Sequence, residues 1–121
     1  MAKKIMVIDD SSALRQTVFD ALTGAGYDVI GAADGREALE MLDGSKVDLM
    51  ICDVHMPRMD GITFVRAIKE RADYRFVPII MLTTEFSEKS RIAGLMAGAK
   101  AWVVKPFRPD QILHAVSKLV S

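Results

Sequence analysis

Four short segments of the chain are apolar at every consecutive residue: Ile5-Met6-Val7-Ile8, Leu49-Met50-Ile51-Cys52, Ile79-Ile80-Met81-Leu82 and Ala101-Trp102-Val103-Val104. Successive side chains of a strand point to opposite faces, so a strand without a polar side must be covered on both. A parallel sheet layered between helices meets that demand, whereas a sheet with one wet face does not. A fifth candidate, Tyr27-Asp28-Val29-Ile30-Gly31-Ala32, carries a charge and a glycine and is expected at a sheet edge.

Helical periods separate these runs. Leu14, Val18, Ala21, Leu22 and Ala25 form one stripe before Gly26, with Gly24 and Gly26 marking its end. Asp34, with Glu37 three residues later, resembles a capping box that opens a helix through Ala38, Leu39 and Leu42, closed by Gly44. A third helix runs from Gly61 with Phe64, Val65 and Ile68 inward. A fourth carries Ile92, Leu95, Met96 and Ala99, with Gly98 suited to its stop. The last begins near Pro109 and carries the clearest stripe, Ile112, Leu113, Val116, Leu119 and Val120. Five strands alternating with five helices predict a doubly wound α/β fold with right-handed crossovers.

The 121 residues are expected to form a single domain, 1–121, with no room for a separate output domain. Sixteen basic and sixteen acidic residues balance, so no field draws the chain to nucleic acid or to an anionic membrane. Cys52 has no partner for a disulfide, and its apolar neighbours favour a buried, inert thiol. His55 and His114 are the only histidines, too few for a zinc site. The apolar run Ile5 to Ile8 ends at Asp9, too soon for a signal peptide or a membrane span, and a cytoplasmic location is expected. Met50 and Met81 read as core, while Met56, Met59 and Met96 fit core or surface alike and are assigned no partner site.

In open parallel sheets, ligands bind where loops leave the carboxyl ends of the strands. There the chain places Asp9-Asp10, Asp53, Thr83-Thr84 and Lys105-Pro106. Taken singly these residues have structural uses; Asp10 reads equally well as a helix cap. Together they carry a cost. Three carboxylates at ~5 Å with an effective dielectric of ~20 repel by ~3 kcal/mol per pair, on the order of 10 in all. Lys105 supplies one compensating charge, and a hard divalent cation with oxygen-only ligation, Mg²⁺ rather than zinc or copper, would supply the rest. Carboxylates, Mg²⁺, a lysine and a hydroxyl match the needs of phosphoryl transfer to a carboxylate, giving an acyl phosphate.

The stretches Met6-Val7-Ile8-Asp9-Asp10-Ser11, Cys52-Asp53-Val54-His55-Met56-Pro57 with Asp60-Gly61, Met81-Leu82-Thr83-Thr84-Glu85, and Gly98-Ala99 leading into Val104-Lys105-Pro106-Phe107 occur in this order along the whole chain. In this the sequence resembles the receiver domains of two-component response regulators, and more narrowly the single-domain chemotaxis regulators of the CheY type. The resemblance implies a flavodoxin-like, five-stranded parallel sheet of order 2-1-3-4-5. It further implies that Asp53 is phosphorylated, with Asp9, Asp10, Asp53 and the His55 main-chain carbonyl holding Mg²⁺. Lys105 would pair with a phosphoryl oxygen, and Thr83 would donate its hydroxyl to another. Trp102 stands at the switch position, where the family commonly has Tyr or Phe. His55 and Glu85 flank the phosphoryl group and influence its hydrolysis. The Lys105-Pro106 bond is cis in the family, and Gly61 serves the turn after Asp53.

The implied partners are a sensor histidine kinase as phosphoryl donor and, through the face of the fourth helix, fifth strand and last helix, a flagellar motor switch protein or another target protein. A phosphatase is a further expected partner. A monomer is expected, with dimerisation left open. Other single-domain receivers serve as phosphorelay intermediates or kinase regulators with the same pocket. A Mg²⁺-dependent aspartyl-phosphate phosphatase is the enzyme alternative, but such enzymes generally place a second Asp where this chain has His55. A flavodoxin would need a phosphate-cradling first loop, which Asp9-Asp10 would repel. A scaffold indifferent to phosphorylation is the third reading. The chain is therefore expected to be a switch rather than an enzyme, its only chemistry self-phosphorylation and slow self-dephosphorylation.

Overall fold

The computed structural model describes residues 2–84 and 88–120. Its elements alternate strictly: β1 (Lys4–Ile8), α1 (Ser12–Gly24), β2 (Asp28–Ala32), α2 (Gly35–Met41), β3 (Leu49–Asp53), α3 (Gly61–Lys69), β4 (Ile79–Thr83), α4 (Glu88–Ala97), β5 (Ala101–Val104) and α5 (Pro109–Leu119). The strands are parallel, in the order β2-β1-β3-β4-β5. This is the doubly wound sheet that the apolar runs require.

Alternation along the strands divides the core in two. Met6, Ile8, Met50, Cys52, Ile79 and Met81 face one way, against Ala38, Phe64, Val65 and Ile68 of α2 and α3. Ile5, Val7, Leu49, Ile51, Ile80 and Leu82 face the other, against Val18 and Leu22 of α1 and Ile112 and Val116 of α5. Each fully buried Ile or Leu contributes ~1.5–3 kcal/mol, so a single charge in β1, β3 or β4 would cost the fold heavily. β5 departs from the expectation of cover on both faces. As the second edge strand it has one neighbour, and all four of its residues are half-buried.

Caps set most helix starts as the sequence suggests, with one reassignment. Ser11, not Asp10, caps α1 by accepting the Leu14 N–H at 3.2 Å. Asp34 caps α2, accepting the Glu37 N–H at 2.9 Å, and Asp60 caps α3. Ala25 lies past α1 as its C-cap and is exposed, so it leaves the stripe. Likewise α2 ends at Met41, before Gly44, although Leu42 is still buried.

The larger departure is α4. Ile92, Leu95 and Met96, the apolar residues that helical spacing picks out, are 45%, 38% and 84% exposed. The helix instead lays Ala93, Gly94 and Ala97 toward the sheet, small residues that let its backbone approach closely. Gly98 does end it: at φ 122° its N–H donates to the Leu95 carbonyl while the Ala99 N–H reaches the Gly94 carbonyl, the paired bonds of a Schellman stop.

Candidate functional site

Parallel register delivers the polar residues to one edge. Ile8 pairs with Cys52, Asp53 with Leu82, and Thr83 with Val104, so the residues at or just beyond these positions emerge side by side. Asp9, Asp53 and Thr83 are nearly sealed, at 1%, 5% and 0% exposure, while Asp10 stands at the mouth. Carboxylate oxygens of Asp9, Asp10 and Asp53 lie within 4.8 Å of one another. Lys105 reaches between them, with Nζ 3.2 Å from Asp9 Oδ2 and 3.3 Å from Asp53 Oδ2. The Lys105-Pro106 peptide bond is cis.

The backbone around each acid is fixed. The Asp9 N–H donates to the Ala32 carbonyl at 3.1 Å, and Asp9 Oδ1 accepts the Ser11 N–H at 2.8 Å. The Arg15 guanidinium donates to the Asp9 main-chain carbonyl from one turn into α1. Beyond Asp53, the Val54 N–H joins the Leu82 carbonyl at 3.0 Å, and the Gly61 N–H returns to the Val54 carbonyl at 2.8 Å. Gly61 is needed there. A Cβ on it would stand 2.2 Å from the Asp53 carbonyl oxygen and 2.9 Å from Val54 Cα, both backbone atoms that cannot yield.

Burial raises the Asp53 carboxyl above the usual carboxylate range, and the Asp9 charge pushes the same way. Lys105 and the His55 main-chain N–H, which donates to the Asp53 carboxylate, pull it down without cancelling the rise. Burial also pushes the adjacent Cys52 thiol well up, reinforced by Asp53 and Asp9, which is the inert cysteine expected. One lysine against three carboxylates leaves negative charge in excess. Oxygen donors alone, closely spaced and partly open to solvent through Asp10, suit a hard divalent cation.

The structure thus brings Asp9, Asp10, Asp53 and Lys105 together, with Thr83 buried at the end of the neighbouring strand. His55 is exposed on the loop after β3, two residues from Asp53. Glu85 lies outside the described residues. Trp102, half-buried, lies over Gly94, where an added Cβ would meet its Cζ3 at 2.4 Å. Sequence reasoning missed Arg15, whose place in the first turns of α1 gives no hint that it reaches a carbonyl six residues back. It also missed Arg58, which pairs with Asp34 across 24 residues of chain. Among the described residues, no helix is long and apolar enough to cross a membrane.

Comparison with known proteins agrees with this geometry. The family model for the response regulator receiver domain matches residues 5–117. The chemotaxis protein CheY4 of Vibrio cholerae superposes with a TM-score of 0.95 at 42% identity, over 99% of this chain and 100% of that one. The receiver domain of a sensor histidine kinase from Pseudomonas aeruginosa, solved with a magnesium ion coordinated in its active site cleft, aligns at TM-score 0.89 and 26% identity, over 98% of each chain. Response regulator MprA of Mycolicibacterium vanbaalenii is 38% identical over 120 residues, 99% of this chain and 51% of that protein. The chain spans about half the length of the curated relatives it matches. An acidic triplet beside a lysine at the strand ends, on a sheet of order 2-1-3-4-5, joins a family match along nearly the whole length: the chain belongs to the response regulator receiver domain family.

Proposed function

We propose that the protein is a phosphoacceptor switch in which Asp53 takes a phosphoryl group from a phosphohistidine of a sensor kinase. The observation that carries this reading is the contact of Asp53 with Lys105 inside the triplet it forms with Asp9 and Asp10. An Asp53 carboxylate oxygen attacks phosphorus in line, the P–N bond breaks, and the imidazole leaves with a proton. Lys105, already at the carboxylate, is placed to neutralise charge on a phosphoryl oxygen. Asp9, Asp10, Asp53 and the His55 main-chain carbonyl would hold Mg²⁺, which supplies the remaining positive charge. The donor set fits that ion, being all oxygen.

Switching follows from charge added at a fixed place. New bonds from Thr83 and Lys105 to the phosphoryl group would supply ~3–6 kcal/mol together. Inverting a 1:99 population takes ~5.5 kcal/mol, so most of that gain must belong to the active conformer alone. Trp102 over Gly94 and the outward Ile92, Leu95 and Met96 of α4 lie on the side where a protein target would read the change. Likeness to a chemotaxis protein along its full length favours a flagellar motor switch protein as that target, in the cytoplasm. The half-length match to MprA and its kin supports a second reading, that of a receiver unit governing a different output. In either case the chemistry is stoichiometric, and hydrolysis of the acyl phosphate is slow.

Acetyl phosphate with and without Mg²⁺ tests the reading by intact mass. One phosphoryl group is expected on the wild type only with metal, and none on Asp53→Asn. Phosphorylation of that variant to the same extent overturns it.

A further inference from the structure

The loop between β3 and α3 carries His55, and its base is tied by the Val54 and Gly61 backbone bonds already described. Its middle is anchored elsewhere. Arg58 is the only non-glycine described residue with a positive φ, at 66°. From that left-handed turn its Nε donates to Asp34 Oδ2 at 2.9 Å, and its Nη2 makes a second bond to the same oxygen. The Asp34 side chain is 4% exposed, and its other oxygen caps α2. The next residue, Met59, lies on Gly35, where a Cβ would come within 3.0 Å of Sδ and 3.1 Å of Cγ. Two consecutive loop residues therefore seat on the first turn of α2, one by charge and one by shape.

A left-handed arginine is disfavoured by its own Cβ, so this conformation persists only while something holds it. The ion pair holds it together with a backbone bond across Arg58, in which the Met59 N–H donates to the Pro57 carbonyl at 2.7 Å. Three residues upstream, the His55 N–H donates to the Asp53 carboxylate, so the shape of the loop and the surroundings of Asp53 are fixed together. We infer that Arg58 is a positioning residue: clamped to Asp34, it presets the His55 segment for the cation and the phosphoryl group of the proposed reaction, on which reading this inference rests. Without the clamp, the loop would be ordered only when the ligand arrives, and part of the affinity would go into that ordering.

Arg58→Ala, Arg58→Lys and Asp34→Asn test this. Asparagine still caps a helix, so Asp34→Asn removes the charge while keeping the N-terminus of α2 closed. In metal-free protein, amide hydrogen exchange at His55, Met56, Arg58 or its replacement, and Met59 should quicken about 10-fold in Arg58→Ala and Asp34→Asn, with helix amides of α2 unchanged. In an amide NMR titration with MgCl₂ alone, the midpoint should rise about 3- to 10-fold in both. Arg58→Lys should recover part of each effect, and the double variant should be no worse than either single. A helix-stabilising role alone would speed exchange in α2 and leave the Mg²⁺ midpoint where it was, which overturns the inference. If the wild type itself shows no Mg²⁺ binding, the proposed function fails, and unchanged loop exchange in the variants overturns the clamp independently.

Discussion

Replacing Asp53 with Asn should stabilise the metal-free protein while weakening its response to Mg²⁺. Oxygens of Asp9 and Asp10 lie within 4.8 Å of Asp53, so at an effective dielectric of ~20 each repels it by ~3.5 kcal/mol. Lys105 at 3.3 Å returns ~5 kcal/mol of attraction. The balance is ~2 kcal/mol against the charge, and solvent entering past Asp10 screens this to ~1 kcal/mol. Asparagine is nearly isosteric and keeps one oxygen that accepts from Lys105 or from the His55 N–H. The variant should therefore melt ~3–6 °C higher in EDTA at neutral pH. Its advantage depends on pH in a fixed sense. The Asp53 carboxyl is raised in the folded chain, so its ionisation penalises the fold. The penalty is absent below the ordinary carboxylate value near pH ~4, grows as pH rises through the folded value, and is constant above it. Mg²⁺ at ten times its dissociation constant should add ~1.4 kcal/mol to the wild type and less to the variant, closing or reversing the gap. Thermal unfolding followed by circular dichroism, in EDTA and in excess MgCl₂, reads all of this. A variant less stable than the wild type in EDTA, or an identical Mg²⁺ gain in both, refutes the electrostatic account of the pocket.

Other substitutions probe neighbouring parts. Lys105→Ala removes the cation shared by Asp9 and Asp53 and should cost ~2–3 kcal/mol in EDTA, less in Mg²⁺; some phosphorylation should persist while the Trp102 fluorescence response shrinks, and an undiminished response contradicts the role given to Lys105. Gly61→Ala forces a methyl into backbone and should lose ~3 kcal/mol in urea unfolding, together with slower phosphorylation. Gly94→Ala sets a clash of ~1–3 kcal/mol with the Trp102 indole against a helix-propensity gain of ~1 kcal/mol. Its stability should therefore change little while Trp102 emission shifts red; an unshifted spectrum means that the indole is not held by α4.

The sheet was legible because β1, β3 and β4 are buried on both faces, a pattern that few alternatives share. The pocket was legible because its residues sit at strand ends, where parallel register makes sequence position equivalent to place. What misled is α4. Ile92, Leu95 and Met96 have helical spacing, but periodicity names a stripe without naming which side faces the sheet, and Gly94 fits under the Trp102 indole where a larger residue would not. Arg58 was illegible for a different reason. A left-handed arginine has no local signature, and its partner Asp34 is already explained as a helix cap.

Lys105 and Asp9 are 96 positions apart, and their contact has a consequence for the order of biosynthesis. All three acids precede Lys105 in the chain, and their oxygens are drawn together only as β1 and β3 pair, so their repulsion opposes that pairing until the lysine arrives. Docking of the last edge strand closes the sheet and supplies the missing cation in a single event. The charge of the pocket is thereby partly balanced only once the far edge of the sheet has formed.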